Sequence, residues 1–178
     1  MAATHEMLEI ALAHKPHAAC IVPEKRQERT TEGGLDAARQ HSYLAPFVSQ
    51  MQDSEIRVSL FVEPDRTQLE AARSLGAPVV ELHTGRYCEL SGDLQKAERK
   101  RIADAAAFGK SIGLEVHAGH GLSFDTVGAI SAIQEIRELN IGHFLVGEAL
   151  FIGFEKAVQE MRHRMDKARS KASTTGLQ

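Results

Sequence analysis

Five short apolar runs, separated by segments with helical spacing, limit the folds open to this chain. They are "AACIV" (18–22), "RVSLFV" (57–62), "PVVEL" (78–82), "LEVHA" (114–118) and "HFLVG" (143–147). Each is rich in aliphatic, often β-branched residues and reads as a strand buried on both faces, as in a parallel sheet. Leu69, Ala72 and Leu75 then share one helical stripe after the Glu63-Pro64 turn. From Asp93 to Ile112 the apolar side is Leu94, Ala97, Ile102, Ala105, Ala106 and Phe108. In "FEKAVQEMRHRM" it is Phe154, Ala157, Val158, Met161 and Met165. Gly76 and Gly113 stand where a left-handed residue closes a helix. The chain opens on a helix, "HEMLEIALAH", with no strand before it.

A β-then-α order repeated about five times implies a parallel α/β sheet, either open and doubly wound or closed as a barrel. Polar groups gather at the C-terminal ends of nearly every run: Glu24, Glu63, Glu81, His83, His117, His120 and Glu148. A doubly wound sheet has one crevice, whereas a barrel mouth collects side chains from all its strands, so the barrel is favoured. A full barrel has eight units and about 250 residues. The expectation is therefore a (β/α)8 TIM-barrel type, here an incomplete barrel of about five units over residues 1–169, with 170–178 as a disordered tail.

The composition excludes several function classes. With 178 residues, 43% hydrophobic and 25% charged, the chain can bury one substantial core. No run of ~18 apolar residues is present to span a membrane, and "MAATHEMLEIA" lacks the basic-then-apolar order of a signal peptide, so a cytoplasmic protein is expected. Cys20, in an apolar run, reads as core, and with Cys88 it suggests neither a disulfide framework nor a thiolate metal cluster. A net charge of −3 with mixed signs leaves no footprint for nucleic acid. A small-molecule partner is expected.

Alternate strand residues share a face, so Glu81 pairs with His83 and Glu115 with His117. Carboxylates and imidazoles facing a barrel interior must bond one another or handle protons for a substrate. For Glu115 and His117, deeper in the strand, a structural polar layer is as good an account. Glu81, His83 and His120 lie nearer the mouth. Glycines on both sides of His120 let a ligand approach the backbone, and Gly142 and Gly147, flanking the last run, offer amides to a phosphate. The loop "PEKRQERTTEGG" (23–34) is too long for a plain βα connection. It carries Lys25, Arg26, Arg29, Thr30 and Thr31 with Gly33 and Gly34 as a hinge, as a lid over an anionic substrate would.

"VPEKRQERTTEGGLD", "VELHTG", "HAGHGL" and "NIGHFLVGEAL", in this order and spacing, resemble the pyridoxine 5′-phosphate synthase family from Met1 to about Arg169. The resemblance implies a barrel enzyme that condenses 1-deoxy-D-xylulose 5-phosphate with 3-amino-2-oxopropyl phosphate, releasing phosphate and water, with no metal or organic cofactor. It makes His120 the proton-donating histidine and Glu81 the carboxylate supporting the transition state. Thr30 matches the lid threonine contacting the deoxyxylulose phosphate, while Gly121, Gly142 and His143 match contacts to the aminoketone phosphate. A homo-oligomer, an octamer in that family, is implied. The family's first three strands, with a catalytic histidine and glutamate, have no counterpart here, so the 178-residue chain is expected to be inactive and poorly stable alone.

Two other classes remain open from the residues. Glu81, His83, His117 and His120 could form the mixed nitrogen and oxygen site of a metal-dependent sugar-phosphate isomerase or hydrolase. A non-catalytic remnant that acts only in binding or assembly is the second.

Overall fold

The computed structural model describes residues 1–24 and 33–175, with side chains up to residue 172. Five parallel strands form one sheet: β1 (Ala18–Ile21), β2 (Arg57–Val62), β3 (Val79–His83), β4 (Glu115–Gly119) and β5 (Ile136–Asn140). The helices are α1 (His5–His14), α2 (His41–Asp53), α3 (Arg66–Ser74), α4 (Gly85–Glu89), α5 (Gly92–Ser111), α6 (Val127–Ser131), α7 (His143–Ile152) and α8 (Phe154–Thr175). The spatial order β1-β2-β3-β4-β5 follows the chain without reversal. A doubly wound sheet reverses its order at a switch point, so this is the strand order of a barrel, present as five consecutive units.

Register sorts the side chains onto two faces. Leu60 pairs with Val80 and Val80 with Val116, so these residues share the helix-covered face with Ile21, Leu82 and Ala118. All are essentially inaccessible, and a fully buried Leu or Ile contributes roughly 1.5–3 kcal/mol. Phe61 pairs with Glu81, Glu81 with His117 and His83 with Gly119, which puts the polar chemistry on the opposite face.

Local signals explain several element ends. Asp65 caps α3 by accepting hydrogen bonds from the Thr67 and Gln68 amides at 2.9 and 3.3 Å. Gly76 and Gly113, at φ 85° and 84°, follow α3 and α5 as expected. Leu69, Ala72, Ile102 and Ala106 are buried in those helices, whereas Leu94 is exposed.

The fifth strand differs from the expected one. "HFLVG" lies in α7, and the strand beside β4 is the preceding "IRELN". A short apolar run does not distinguish helix from strand, and this one continues, broken by Glu148, through ten mostly apolar residues, a helical length. The true β5 is disguised by its charges: Arg137 and Glu138 are exposed on this last strand of the described sheet, where charge is tolerated. A register shift between Val116 and His117 sets Glu138, not Arg137, opposite His117. Gly147 and Glu148 are consequently helical, not at a strand end.

Residues 170–175, read from the sequence as part of a tail, continue α8. Arg169 holds this helix to the body by donating to the Ile133 and Ile136 carbonyls, at 2.7 and 2.5 Å. Residues 176–178 lie outside the described residues. Ala157 and Met161 of the α8 stripe are buried, but Phe154 and Val158 are exposed, as are Val146, Leu150 and Phe151 of α7.

Candidate active site

The polar face opens at the C-terminal edge of the strands into a cavity of 1190 Å³. Glu81, His120, Gly121, Gly142 and His143 all line it, as does His83. Thr30, Thr31 and the loop cations Lys25, Arg26 and Arg29 lie outside the described residues.

Glu81 sits one register step below His83 and is 9% exposed. Its Oε2 accepts a hydrogen bond from Asn140 Nδ2 at 2.8 Å and lies 3.8 Å from the Cys20 thiol. Burial raises its pKa above the ordinary carboxylate range, against opposing contributions from the Asn140 bond and the charge of His117. A carboxyl so placed holds or releases a proton closer to neutral pH than a solvated one. The space it occupies exists because residue 119 is glycine: a Cβ there would run into Oε1 of Glu81 and come 2.8 Å from the Asn140 carbonyl. Burial likewise pushes the Cys20 thiol up to about 12, which keeps it protonated and inert.

His120 follows β4 at φ 80°, a left-handed conformation rare for a residue with a Cβ. Thr84, fully buried at the end of β3, stabilises it. Its Oγ1 lies 2.7 Å from the carbonyls of both Gly119 and His120, and its amide donates to Gly119 O at 2.9 Å. Gly121 continues the turn at φ 81°. The result is an exposed imidazole at the cavity wall, its centroid 5.0 Å from that of His83 and 6.1 Å from that of Phe61. Across the cavity, Gly142 is the N-cap of α7 and has no atom within 4 Å of where its Cβ would be. Gly142, His143 and Phe144 line the cavity, so the N-terminus of α7, the end of a helix that favours anions, stands at its wall.

His83 is backed by a buried ionic chain. Its Nδ1 lies 3.0 Å from Glu63 Oε1, without the alignment of a full hydrogen bond. The same Oε1 accepts from the Gly34 amide at 2.9 Å, and Arg101 Nη2 approaches Glu63 Oε2 at 3.3 Å. Arg101 also forks onto Glu98, with bonds of 2.7 to 3.1 Å. Two buried carboxylates around one guanidinium satisfy the rule that buried charge must be paired and hydrogen-bonded. Gly34 anchors the returning end of the 23–34 loop, because a Cβ there would stand 2.6 Å from the Glu63 nitrogen.

Glu115 and His117 prove to be partners. His117 Nε2 is 2.7 Å from Glu115 Oε1, its Nδ1 is 3.5 Å from Glu138, and Arg57 is 2.7 Å from Glu115 Oε2. These bonds hold the Glu115 carboxyl below its usual range, the His117 bond first and the Arg57 bond next. With His117 committed here and His83 to Glu63, the four residues considered as metal ligands do not converge. Among the described residues no group of three His, Cys, Asp or Glu side chains could hold a metal.

Sequence reasoning missed Asn140, whose strand it misplaced, and Thr84, Arg101 and Glu98, whose roles depend on helix-to-strand contacts. Glu63 was legible only as a polar residue ending a strand.

Sequentially ordered parallel βα units, with histidines and a buried carboxyl lining a cavity at the strand ends, are the architecture of barrel-type enzymes, which bind small molecules at that edge. The solved structure of a xylose isomerase domain protein from Planctomyces limnophilus shares this fold, with a TM-score of 0.55 over 92% of this chain and 69% of that one, at 14% identity. Residues 1–167 match the family model described as pyridoxal phosphate biosynthesis protein PdxJ, and the chain belongs to that family. A pyridoxine 5′-phosphate synthase of Zymomonas mobilis is 59% identical over 170 residues, 96% of this chain and 66% of that protein. One from Rhodospirillum rubrum is 59% identical over 94% of this chain and 68% of its own length, and one from a Jannaschia species is 57% identical. The chain thus spans about two thirds of the length of these relatives. No helix among the described residues is long and apolar enough to cross a membrane.

Proposed function

We propose that this chain carries pyridoxine 5′-phosphate synthase chemistry, binding 3-amino-2-oxopropyl phosphate at the α7 end of the cavity for condensation with 1-deoxy-D-xylulose 5-phosphate. The observation that carries this reading is the convergence on one cavity of Glu81, His120, Gly121, Gly142 and His143. The phosphate takes the amides of Gly121 and of the α7 N-terminus, where aligned N–H groups and the helix dipole favour negative charge. Ring closure requires dehydration and loss of phosphate, which proceed by proton transfer between groups titrating near neutral pH. His120 donates a proton to a departing oxygen, and Glu81, raised by burial and held by Asn140, supports the positive charge that develops in the substrate. Thr30 is assigned to the deoxyxylulose phosphate. Cytoplasmic location and homo-oligomerisation accompany the assignment.

The test is a titration of isotopically labelled chain with 3-amino-2-oxopropyl phosphate, followed by product formation with both substrates present. Amide shifts at Gly121 and Gly142 are the expected result; their absence would remove the phosphate assignment. Where turnover is measured, His120→Asn and Glu81→Gln slow it by about a hundredfold with binding retained.

A further inference from the structure

His83 lines the cavity beside His120, yet neither the phosphate site nor the proton donor uses it. Its side chain is 10% exposed, and the ring lies between Phe61, edge-on at 5.1 Å, and His120 at 5.0 Å. Nδ1 faces the Glu63 carboxylate at 3.0 Å. The other ring nitrogen, Nε2, lies against the cavity-lining backbone of Gly85, where an added Cβ would stand 2.8 Å away. A Cβ on Gly33 would meet Cε1 at 3.3 Å. Glycine at both positions avoids a side chain crowding this edge of the ring, on the cavity that His83 lines.

A carboxylate at Nδ1 selects the tautomer with the proton on Nδ1 and leaves the lone pair on Nε2, and it balances the imidazolium formed when Nε2 takes up a proton. Arg101 and Gly34 hold that carboxylate in place. An imidazole arranged this way at a cavity wall is a base. The function proposed above supplies work for one. The aminomethylene carbon of 3-amino-2-oxopropyl phosphate carries two hydrogens and becomes an aromatic carbon beside the ring nitrogen, which carries at most one. One C–H proton must therefore be removed.

We propose that His83 is the catalytic base that removes this proton, with Glu63 as its orienting carboxylate. The C–H bond breaks, its electron pair moves to form an enolate on the adjacent ketone oxygen, and the proton forms an N–H bond at Nε2. This assignment rests on the aminoketone-phosphate reading of the cavity, and its tests separate the two.

The first test uses the ligand-free chain. Nitrogen-15 chemical shifts of His83 in its neutral form are expected to show the proton on Nδ1, with the preference relaxed in Glu63→Gln. A proton on Nε2 in the wild type would overturn the proposal whatever the substrate. In the second, the chain is incubated in deuterium oxide with 3-amino-2-oxopropyl phosphate alone, and exchange at the aminomethylene carbon is followed. Wild type is expected to exchange this position, and His83→Gln to do so about a hundredfold more slowly, while inorganic phosphate still shifts the Gly121 and Gly142 amides in the variant and shows it folded. Exchange by His83→Gln at the wild-type rate, or bound aminoketone phosphate that the wild type does not exchange, also overturns it. If the aminoketone phosphate does not bind at all, the functional reading fails, and the tautomer still decides the His83–Glu63 pairing.

Discussion

Thr84 Oγ1 lies 2.7 Å from the backbone carbonyl of His120, so a hydroxyl at the end of β3 holds the left-handed residue that ends β4. The same oxygen is 2.7 Å from the Gly119 carbonyl, and that second contact is buried. Thr84→Val keeps the shape of the side chain and removes the hydroxyl that the two carbonyls share, while Gly119 keeps the bond from the residue 84 amide. The expected loss is about 1–3 kcal/mol in denaturant unfolding. His120 resonances should broaden or shift as its turn loosens. Unchanged stability would mean that the turn is held by its own backbone.

Gly119→Ala tests how tightly the Glu81 pocket is built. The added methyl has no room beside the carboxylate and the Asn140 carbonyl, and that carbonyl is backbone in a paired strand. Displacement of Glu81 and a destabilisation of about 1–3 kcal/mol are expected, read as a lower denaturation midpoint with an unchanged slope.

The pH dependence of Glu81 follows from the direction of its shift. Its carboxyl is raised in the folded state by burial, so the unfolded state is the stronger acid. The contribution of this group is then fully present below the unfolded-state value near 4.3 and is lost as pH rises through the higher folded value. Glu81→Gln, which never ionises, should be more stable relative to wild type at pH 7 than at pH 3. Thermal unfolding of the two proteins across that range checks it; a constant difference would place Glu81 in a solvated environment.

Glu115 behaves in the opposite sense. His117 and Arg57 lower its carboxyl, so its contribution is present above the unfolded-state value and disappears as pH falls through the lowered folded one. Glu115→Gln should destabilise at pH 7 and become neutral in acid. The side chain is 40% exposed, and the effect should weaken as salt is raised.

The repeated βα pattern, the sheet edge that opens into the cavity and the glycine-flanked turn at His120 were readable from the sequence. Each is a local signal: β-branched runs, 3.6-residue stripes, and glycines where φ must be positive. The PdxJ-type motifs were readable for the same reason, being short contiguous stretches such as "VELHTG" and "HAGHGL". Local signals failed at β5, because whether "IRELN" or "HFLVG" pairs with β4 depends on which segment fits the open edge of β4 after α6, and an outer strand can carry charge where a central one cannot. Tertiary structure alone decided the partners. Glu81 meets Asn140 across 59 residues, Glu63 meets Arg101 across 38, and Thr84 meets His120 across 36. The sequence determined which side chains stand at the ends of the strands. The sheet register and the packing of α5 against it determined which of them touch, and thereby which carboxyl is raised and which histidine faces a carboxylate, because a pKa and a tautomer depend on neighbours only the fold brings within 3 Å.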